Sequence, residues 1–310
     1  MDSKFFDRRG LMVSGVAVAA AGLAGAAWGQ GEAELVEMKE SKYNSIFIHR
    51  YPDGTLGMIF GVNRQRFLES LYDPADPKSL PVVYTRYMTV ALAYPATLTS
   101  ALEIGLGGGR TASYLNRHMG ASLDITCVEL DPEVIAMAKK YFGVVENANM
   151  RIAAKDGRLY LRENEKKYDL VMIDAYRGTF VPFHLLTKEF FTLVKQRLNP
   201  GGAVAQNISP GPMLYDSAIA TLKSVFDQVD TYQADGNVVA IAYDGPVRPT
   251  SALTARTTAL QAQYKFRHPL VEFLGERKNV TRATAKVLTD DFAPVEALRA
   301  TEKHNLKRTK

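Results

Sequence analysis

The feature that most constrains this chain is a run of glycines placed where an apolar strand stops. Ala101–Ile104, apolar but for Glu103, gives way to Gly105-Leu106-Gly107-Gly108-Gly109. Glycine at a strand's carboxyl end lets the backbone turn sharply and approach a ligand closely. A helical run, Thr111–His118, follows, and the alternation then repeats. Leu123–Val128 reads as a strand, Pro132–Tyr141 as a helix with proline in its first turn, and Met150–Ala153 and Leu170–Ile173 as further strands. Leu186–Leu198 reads as an amphipathic helix ended by Asn199-Pro200-Gly201-Gly202. The strand Ala203–Gln206, the helix Asp216–Val225 and late strands near Thr231 and over Val238–Tyr243 complete the series. Strands alternating with helices predict an α/β fold with a doubly wound parallel sheet.

The predicted strand ends carry acids. The second strand closes in Val128-Glu129-Leu130-Asp131, with Glu129 lying 24 residues beyond Gly105. A carboxylate there can accept hydrogen bonds from both hydroxyls of a ribose. The third leads to Lys155-Asp156-Gly157, where a carboxylate could accept from an adenine amino group, and the fourth ends in Asp174-Ala175-Tyr176. In a doubly wound sheet these ends face one crevice, where ligands bind. No Gly-Lys-Ser/Thr follows the glycines, so a phosphate-cradling loop is not expected. The spacing suits an adenosine moiety and favours S-adenosylmethionine or a relative over a dinucleotide. Each acid also has a plainer reading. Asp174 could cap a helix or pair with a base, and Asp156 could close an Asx turn before Gly157.

Upstream, Tyr43–Arg50 alternates apolar with polar, and Asp53-Gly54 signals a hairpin into Thr55–Val62. A small β-rich unit is therefore expected over 34–80, with a helical run from Tyr84 to Tyr94 leading into a unit spanning 81–298. Residues 1–29 read as an export signal. Arg8-Arg9 precede an uncharged run over 13–29 that ends in small residues, which resembles a twin-arginine signal. Export, with a periplasmic destination, is the expectation; the alternative is a membrane anchor formed by the same segment. A membrane would then be met only transiently, through the signal.

The net charge of +5 is no hint of nucleic acid. A basic tail over 299–310 and a slightly basic start hold the excess, leaving 30–298 neutral. A nucleic-acid binder shows its basic face on the folded part. A single cysteine, Cys127, excludes a disulfide framework, and it is expected to be buried. His49, His118, His184, His268 and His304 lack metal-ligand spacing, so no metal site is expected.

The ordered motifs from 99 to 243 resemble the spermidine synthase family, the polyamine aminopropyltransferases. The likeness reaches weakly back to Glu40-Ser41-Lys42-Tyr43, and Leu288–Glu296 resembles the spermidine-synthase-like branch. The resemblance implies a Rossmann-like, methyltransferase-type sheet behind a small N-terminal β-rich domain, and an aminopropyl-type transfer to an amine or other small nucleophile. The co-substrate would be S-adenosylmethionine or its decarboxylated form. Gly105, Gly107 and Gly109 would lie near the donor's sulfonium, Glu129 on the ribose, and Asp156 with Gly157 at the adenine. Asp174 would take a proton from the attacking amine. Gln206 and Gln65 would be donor contacts, with the register of Gln65 uncertain by one residue. Tyr232 would line the acceptor channel, Tyr87 would be the helix tyrosine of the site, and a homodimer would be possible.

Departures bear on the acceptor. The family carries an aspartate where Gly108 stands, a second aspartate where Arg177 stands, and His-Glu where Met88-Thr89 follow Tyr87. A diammonium substrate needs carboxylates to replace its water. Putrescine is thus a doubtful acceptor, and Arg177 points either to an anionic substrate group or to a pairing with Asp174 or another acid. Packing is an equal reading for Tyr87 and Tyr232, and helix capping before Pro294-Val295-Glu296 is the favoured reading for Asp290-Asp291. Alternatives to the transferase are a non-catalytic exported binder of adenosyl compounds or polyamines, a methyltransferase, or a cyclase.

Overall fold

The computed structural model describes residues 33–62, 65–176, 181–208 and 212–292. The anticipated export signal, Arg177 and the basic tail lie outside the described residues.

An antiparallel meander comes first. It comprises β1 (Glu34–Glu40), β2 (Ser45–Arg50), β3 (Leu56–Val62) and β4 (Gln65–Tyr72), in that order across the sheet. The Asp53-Gly54 turn joins β2 to β3, with Gly54 at φ +87° and the Asp53 carboxylate accepting from the Thr55 N–H. Then come α1 (Val83–Met88), a 3-10 turn over Thr89–Ala93, and a larger sheet. Its strands are β5 (Ser100–Ile104), β6 (Asp124–Glu129), β7 (Met150–Ala154), β8 (Tyr168–Ile173), β9 (Leu198–Ile208), β10 (Gln228–Ala234), β11 (Asn237–Tyr243) and β12 (Arg277–Asn279). Its helices are α2 (Arg110–Met119), α3 (Pro132–Tyr141), α4 (Gly157–Glu163), α5 (Lys188–Gln196), α6 (Pro212–Lys223) and α7 (Thr250–Tyr264).

Across the large sheet the order is β12-β10-β11-β9-β8-β5-β6-β7. The five strands β7, β6, β5, β8 and β9 run parallel, and β11, β10 and β12 add antiparallel pairings. The order reverses at β5, whose neighbours are β6 on one side and β8 on the other. That reversal opens a crevice at the strands' carboxyl ends. The sheet is buried on both faces, so its strands read as continuous apolar runs. One apolar cluster joins Ala101, Ile125, Cys127, Leu170 and Ala205 to α2, α3, α7 and the inner face of the small sheet through Ile46, Ile48, Met58 and Phe60. The other joins Leu102, Val128, Val171, Ile173 and Val204 to α4, α5 and α6. The two sheets therefore share a core.

Two local expectations shift. Asn199-Pro200-Gly201-Gly202 does not end a helix; α5 stops at Gln196, and these residues already belong to β9. The pairing of β8 with β9 slips between Tyr168 and Leu170, which accommodates the turn-forming residues inside a strand. Helix α7 has no forerunner in the pattern, because TSALTARTTALQAQY carries no apolar stripe.

Candidate active site

Strand periodicity decides which side chains meet. Along β5, β6, β8 and β9, every second residue points to the face carrying the small sheet, α1 and α2. Glu103, Glu129, Asp174 and Asn207 share that parity with Ala101, Cys127, Met172 and Ala205 of the cluster on that face. Together with Gly105, Gly107, Asp156, Gly157, His184 and Asn237 they line a cavity of about 260 Å³. The small sheet closes it from above with Phe67, Glu69 and Ser70 of β4, and α1 contributes Tyr84.

The glycine loop is tight because nothing larger fits. Gly105 sits at φ +91°, and a Cβ there would stand 2.4 Å from the backbone oxygen of Asp174. Its N–H donates to Val128 O (2.8 Å), and the Asp174 N–H donates to Ile104 O (2.8 Å), so the loop and the end of β8 form one hydrogen-bonded unit. The Gly108 N–H donates to Ser70 Oγ (2.8 Å), and a Cβ on Gly108 would meet Ser70 Cβ at 2.7 Å. The small sheet occupies the space that a side chain would need here. Gly109 caps α2 at φ +62° and is not part of the cavity wall; a Cβ there would meet Val144 at 2.5 Å. Gly157 packs on Ile104, 2.3 Å from where its Cβ would stand.

Glu129 braces this loop. Its Oε2 accepts from the N–H groups of Leu106 (2.9 Å) and Gly107 (3.3 Å), and its Oε1 from Asp131 (3.0 Å). Burial raises its pKa, against the pull of those backbone donors. Carboxylate oxygens have about four acceptor positions and three are taken here, so about one further donor can be accepted from the cavity. Asp156 caps α4 by accepting from the Leu159 N–H (2.9 Å) and lies 2.8 Å from His184 Nε2. Burial pushes its pKa up, but His184 and the helix amides outweigh that and hold it below the usual range. The capping role and a place on the cavity wall thus coincide.

Asp174 has both oxygens engaged. Tyr84 Oη donates to Oδ2 (3.0 Å) and Asn207 Nδ2 to Oδ1 (2.8 Å). Burial nevertheless raises its pKa. Glu103, only 3% exposed, is a second acid on the same wall. Burial and then the nearby Asp174 push its pKa up to about 8, so it holds its proton at neutral pH. Arg110 brings no free cation, because its guanidinium stacks on Tyr72 and donates to Phe142 O (2.9 Å) and Pro77 O (2.8 Å). A carboxylate held like Asp174 can accept a proton from a group arriving beside the glycine loop.

Gly105, Gly107, Glu129, Asp156, Gly157 and Asp174 meet at this cavity; the other described candidates do not. Gln206 is wholly buried on the opposite face of β9, donating to Asn207 O (3.0 Å). Its neighbour Asn207 faces the cavity instead, one residue and therefore one face away. Tyr87 packs on Phe273, with ring centroids 4.9 Å apart, and the site tyrosine is Tyr84. Tyr232 is wholly buried, its hydroxyl 2.7 Å from Tyr94 Oη, beside Asp230 and Arg277. Gln65 is exposed at the start of β4, away from Glu69 and Ser70. Asp290 accepts from Arg158 of α4 (2.7 Å) and from Thr187, just before α5 (2.7 Å); the helix expected after it, at Pro294-Val295-Glu296, lies outside the described residues. Glu69, Tyr84, Glu103, Asn207 and Asn237 were not anticipated as site residues. Only Glu103 carried a signal, a lone charge inside an apolar strand. Among the described residues, no group of three or more potential ligands could hold a metal.

Known proteins resemble both the sequence and the fold. The polyamine aminopropyltransferase of Vibrio vulnificus is 28% identical over 285 residues, covering 87% of this chain and 93% of that protein. A probable polyamine aminopropyl transferase of Bifidobacterium longum is 33% identical over 66% of this chain, which spans 45% of that longer protein. The crystal structure of a probable spermidine synthase from Corynebacterium glutamicum shares the fold, with a TM-score of 0.62 at 20% identity over 82% of this chain and 96% of that one. The sheet is accordingly the Rossmann-like type, fronted by a small antiparallel β sheet. The spermine/spermidine synthase domain profile matches residues 83–241, from α1 through β11 and just over half the chain, and the chain belongs to that family.

Proposed function

We propose that this protein transfers an aminopropyl-type group from decarboxylated S-adenosylmethionine, or from S-adenosylmethionine itself, to an amine, with Asp174 as the base. The observation that carries this reading is Asp174, held by Tyr84 and Asn207 beside the Gly105 loop and facing the same cavity as Glu129 and Asp156. Glu129 would hold the ribose, Asp156 with Gly157 the adenine, and Gly105 with Gly107 would lie against the sulfonium end. The relatives named as aminopropyltransferases support the reaction class.

The chemistry asks little acid catalysis of the protein. The amine's lone pair forms a bond to the carbon attached to sulfur, the carbon–sulfur bond breaks, and its electron pair leaves on sulfur as a neutral thioether. The protein must align the two partners and take the proton released from nitrogen. A partly dry site, which raises the Asp174 pKa, brings that base nearer to working pH. Glu69, Asp174 and Asp235 place further acidic groups on the wall, which suits a cationic acceptor. Putrescine is not the expected acceptor, since Arg177 stands where the family carries an aspartate.

Incubation of the protein with either donor and a panel of amines tests this by mass spectrometry. Methylthioadenosine and an equal amount of alkylated amine are expected, aminopropylated from the decarboxylated donor or 3-amino-3-carboxypropylated from S-adenosylmethionine. S-adenosylhomocysteine as the product, or no product with any amine, overturns the reading. The division into export signal, 34–80, 81–298 and basic tail belongs to the same proposal, as does export. The Arg8-Arg9 run supports export, and mass measurement of the mature chain from a periplasmic extract tests it. Pairing of two chains is proposed as well, with sedimentation as the check.

A further inference from the structure

Asp174 is tied to a second amide beyond Asn207. Asn237 Nδ2 donates to Asn207 Oδ1 (2.9 Å), while Asn207 Nδ2 donates to Asp174 Oδ1 (2.8 Å). The chain of bonds has a single direction. An ionised carboxylate only accepts, so Asn207 must turn its NH₂ to Asp174 and its oxygen to Asn237, and Asn237 must answer with its own NH₂. Asn207 is 1% exposed, so it cannot turn to water to satisfy itself otherwise. Its backbone oxygen is also occupied, accepting from Tyr176 Oη (3.1 Å) and Gln206 Nε2 (3.0 Å).

The fold places Asn237 with little freedom. Asp235 and Gly236 form a two-residue turn, both at positive φ (+41° and +88°), between Ala234 and Asn237, which pair across β10 and β11. Asp-Gly is the favoured sequence for such a turn. It sets the register that puts Val239 opposite Asn207 and leaves Asn237 on the cavity face. The Asp235-Gly236 hairpin is thereby wired to the Asp174 carboxylate.

We infer that Asn237 and Asn207 are positioning residues, a one-way amide relay that keeps Asp174 ionised and aimed into the cavity. The catalytic meaning of the relay rests on the transferase reading; its effect on the Asp174 carboxylate does not. Among the described residues, the titratable groups facing Asp174 are Tyr84 from α1 and Glu103 from β5, with Tyr176 next along its own chain, Glu69 of β4 beyond Tyr84, Glu129 beyond Glu103 and Asp235 of the β10–β11 turn on the same cavity wall. None of these supplies a positive charge to stabilise the carboxylate. The donated hydrogen bonds from Tyr84 and Asn207 are the influences that lower its pKa against burial.

The test reads Asp174 directly. Carboxyl ¹³C shifts in aspartate-labelled protein, assigned with Asp174→Asn, give its titration midpoint without turnover, and kcat/KM against pH is measured on the same samples. Asn237→Leu removes the outer donor without adding charge. It should raise the midpoint by about half a pH unit and move the acid limb of kcat/KM equally, with the donor KM unchanged. Asn237→Asp offers only an acceptor, turns the Asn207 amide over and should raise the midpoint by about one unit, a roughly tenfold loss of kcat/KM on the acid limb. Asn237→Ser, which keeps a hydroxyl donor, should return the midpoint towards the wild-type value. A midpoint unmoved in Asn237→Leu, with the thermal melt preserved, overturns the relay whatever Asn237→Asp does. A midpoint that moves in a protein with no turnover supports the relay and refutes the transferase reading.

Discussion

Replacing Glu103 with glutamine should make the protein more stable in mild alkali and change little in mild acid. The side chain is 3% exposed, and burial with Asp174 lifts its pKa from 4.5 to about 8. Below pH 4.5 the folded and unfolded chains both hold the proton, and the group adds no pH dependence. Between 4.5 and about 8 the unfolded chain releases the proton while the folded chain keeps it, so stability falls as pH rises. Above about 8 the folded chain must carry a buried charge, and the full penalty stands. At about 1.4 kcal/mol per pH unit the ceiling is roughly 5 kcal/mol, and relaxation of the site should leave on the order of 2–4. Glutamine keeps the shape and keeps an oxygen for the Cys127 thiol, 3.7 Å away. Urea unfolding of both proteins between pH 5 and 9 isolates the effect, because every other group titrates in both. The stability difference should be under about 1 kcal/mol at pH 5 and should have grown in favour of Glu103→Gln by at least about 2 kcal/mol at pH 9. A difference constant to within about 0.5 kcal/mol across that range would show that Glu103 ionises normally and refute the reasoning.

Other expectations test separate parts of the site. Gly105→Ala forces a side chain to within 2.4 Å of the Asp174 carbonyl at φ +91° and should cost roughly 3 kcal/mol in denaturant unfolding; a loss under about 1 would contradict the tight loop. Tyr84→Phe removes one of the donors on Asp174, so kcat/KM for the amine at pH 7 should fall about tenfold and recover as pH rises. Glu129→Ala should abolish donor binding in calorimetry, and unchanged affinity would remove Glu129 from the ribose site. Tyr232→Phe breaks a buried hydroxyl pair with Tyr94, so it should lose about 1–2 kcal/mol of stability while leaving the acceptor KM within twofold.

The acidic strand tips were legible because two periodicities agree there. An apolar run that ends in an acid beside glycine marks a strand end, and a doubly wound sheet collects such ends. Asn207 was hidden by the same physics. The inner part of β9, Ala203–Ile208, is buried on both sides, so no alternation of polar and apolar residues tells Gln206 from Asn207. Tyr84 and Tyr87 lie three residues apart on the short helix α1 and point roughly the same way, so only the neighbours decide which reaches Asp174. Glu69 and Ser70 arrive from the other sheet, where a bulge between Met58 and Ile59 changes the pairing of β3 with β4; no local pattern reports that crossing. Tyr232 illustrates the limit of motif transfer. It sits at the matching place in the chain, yet Tyr94, Asp230 and Arg277 absorb it into the core.

The bond from Asp174 to Ile104 and the contact of Gly105 with the end of β8 leave the glycine loop and the proposed base no independent freedom. Any substitution that widens one must drag the other. New substrate preference in such a scaffold has to come from the pieces laid upon that joined block: the rim of β4, the single turn carrying Tyr84, and the Asp235-Gly236 fingertip. Those are the places to randomise when a different acceptor is wanted, and the glycine loop is the place to leave alone.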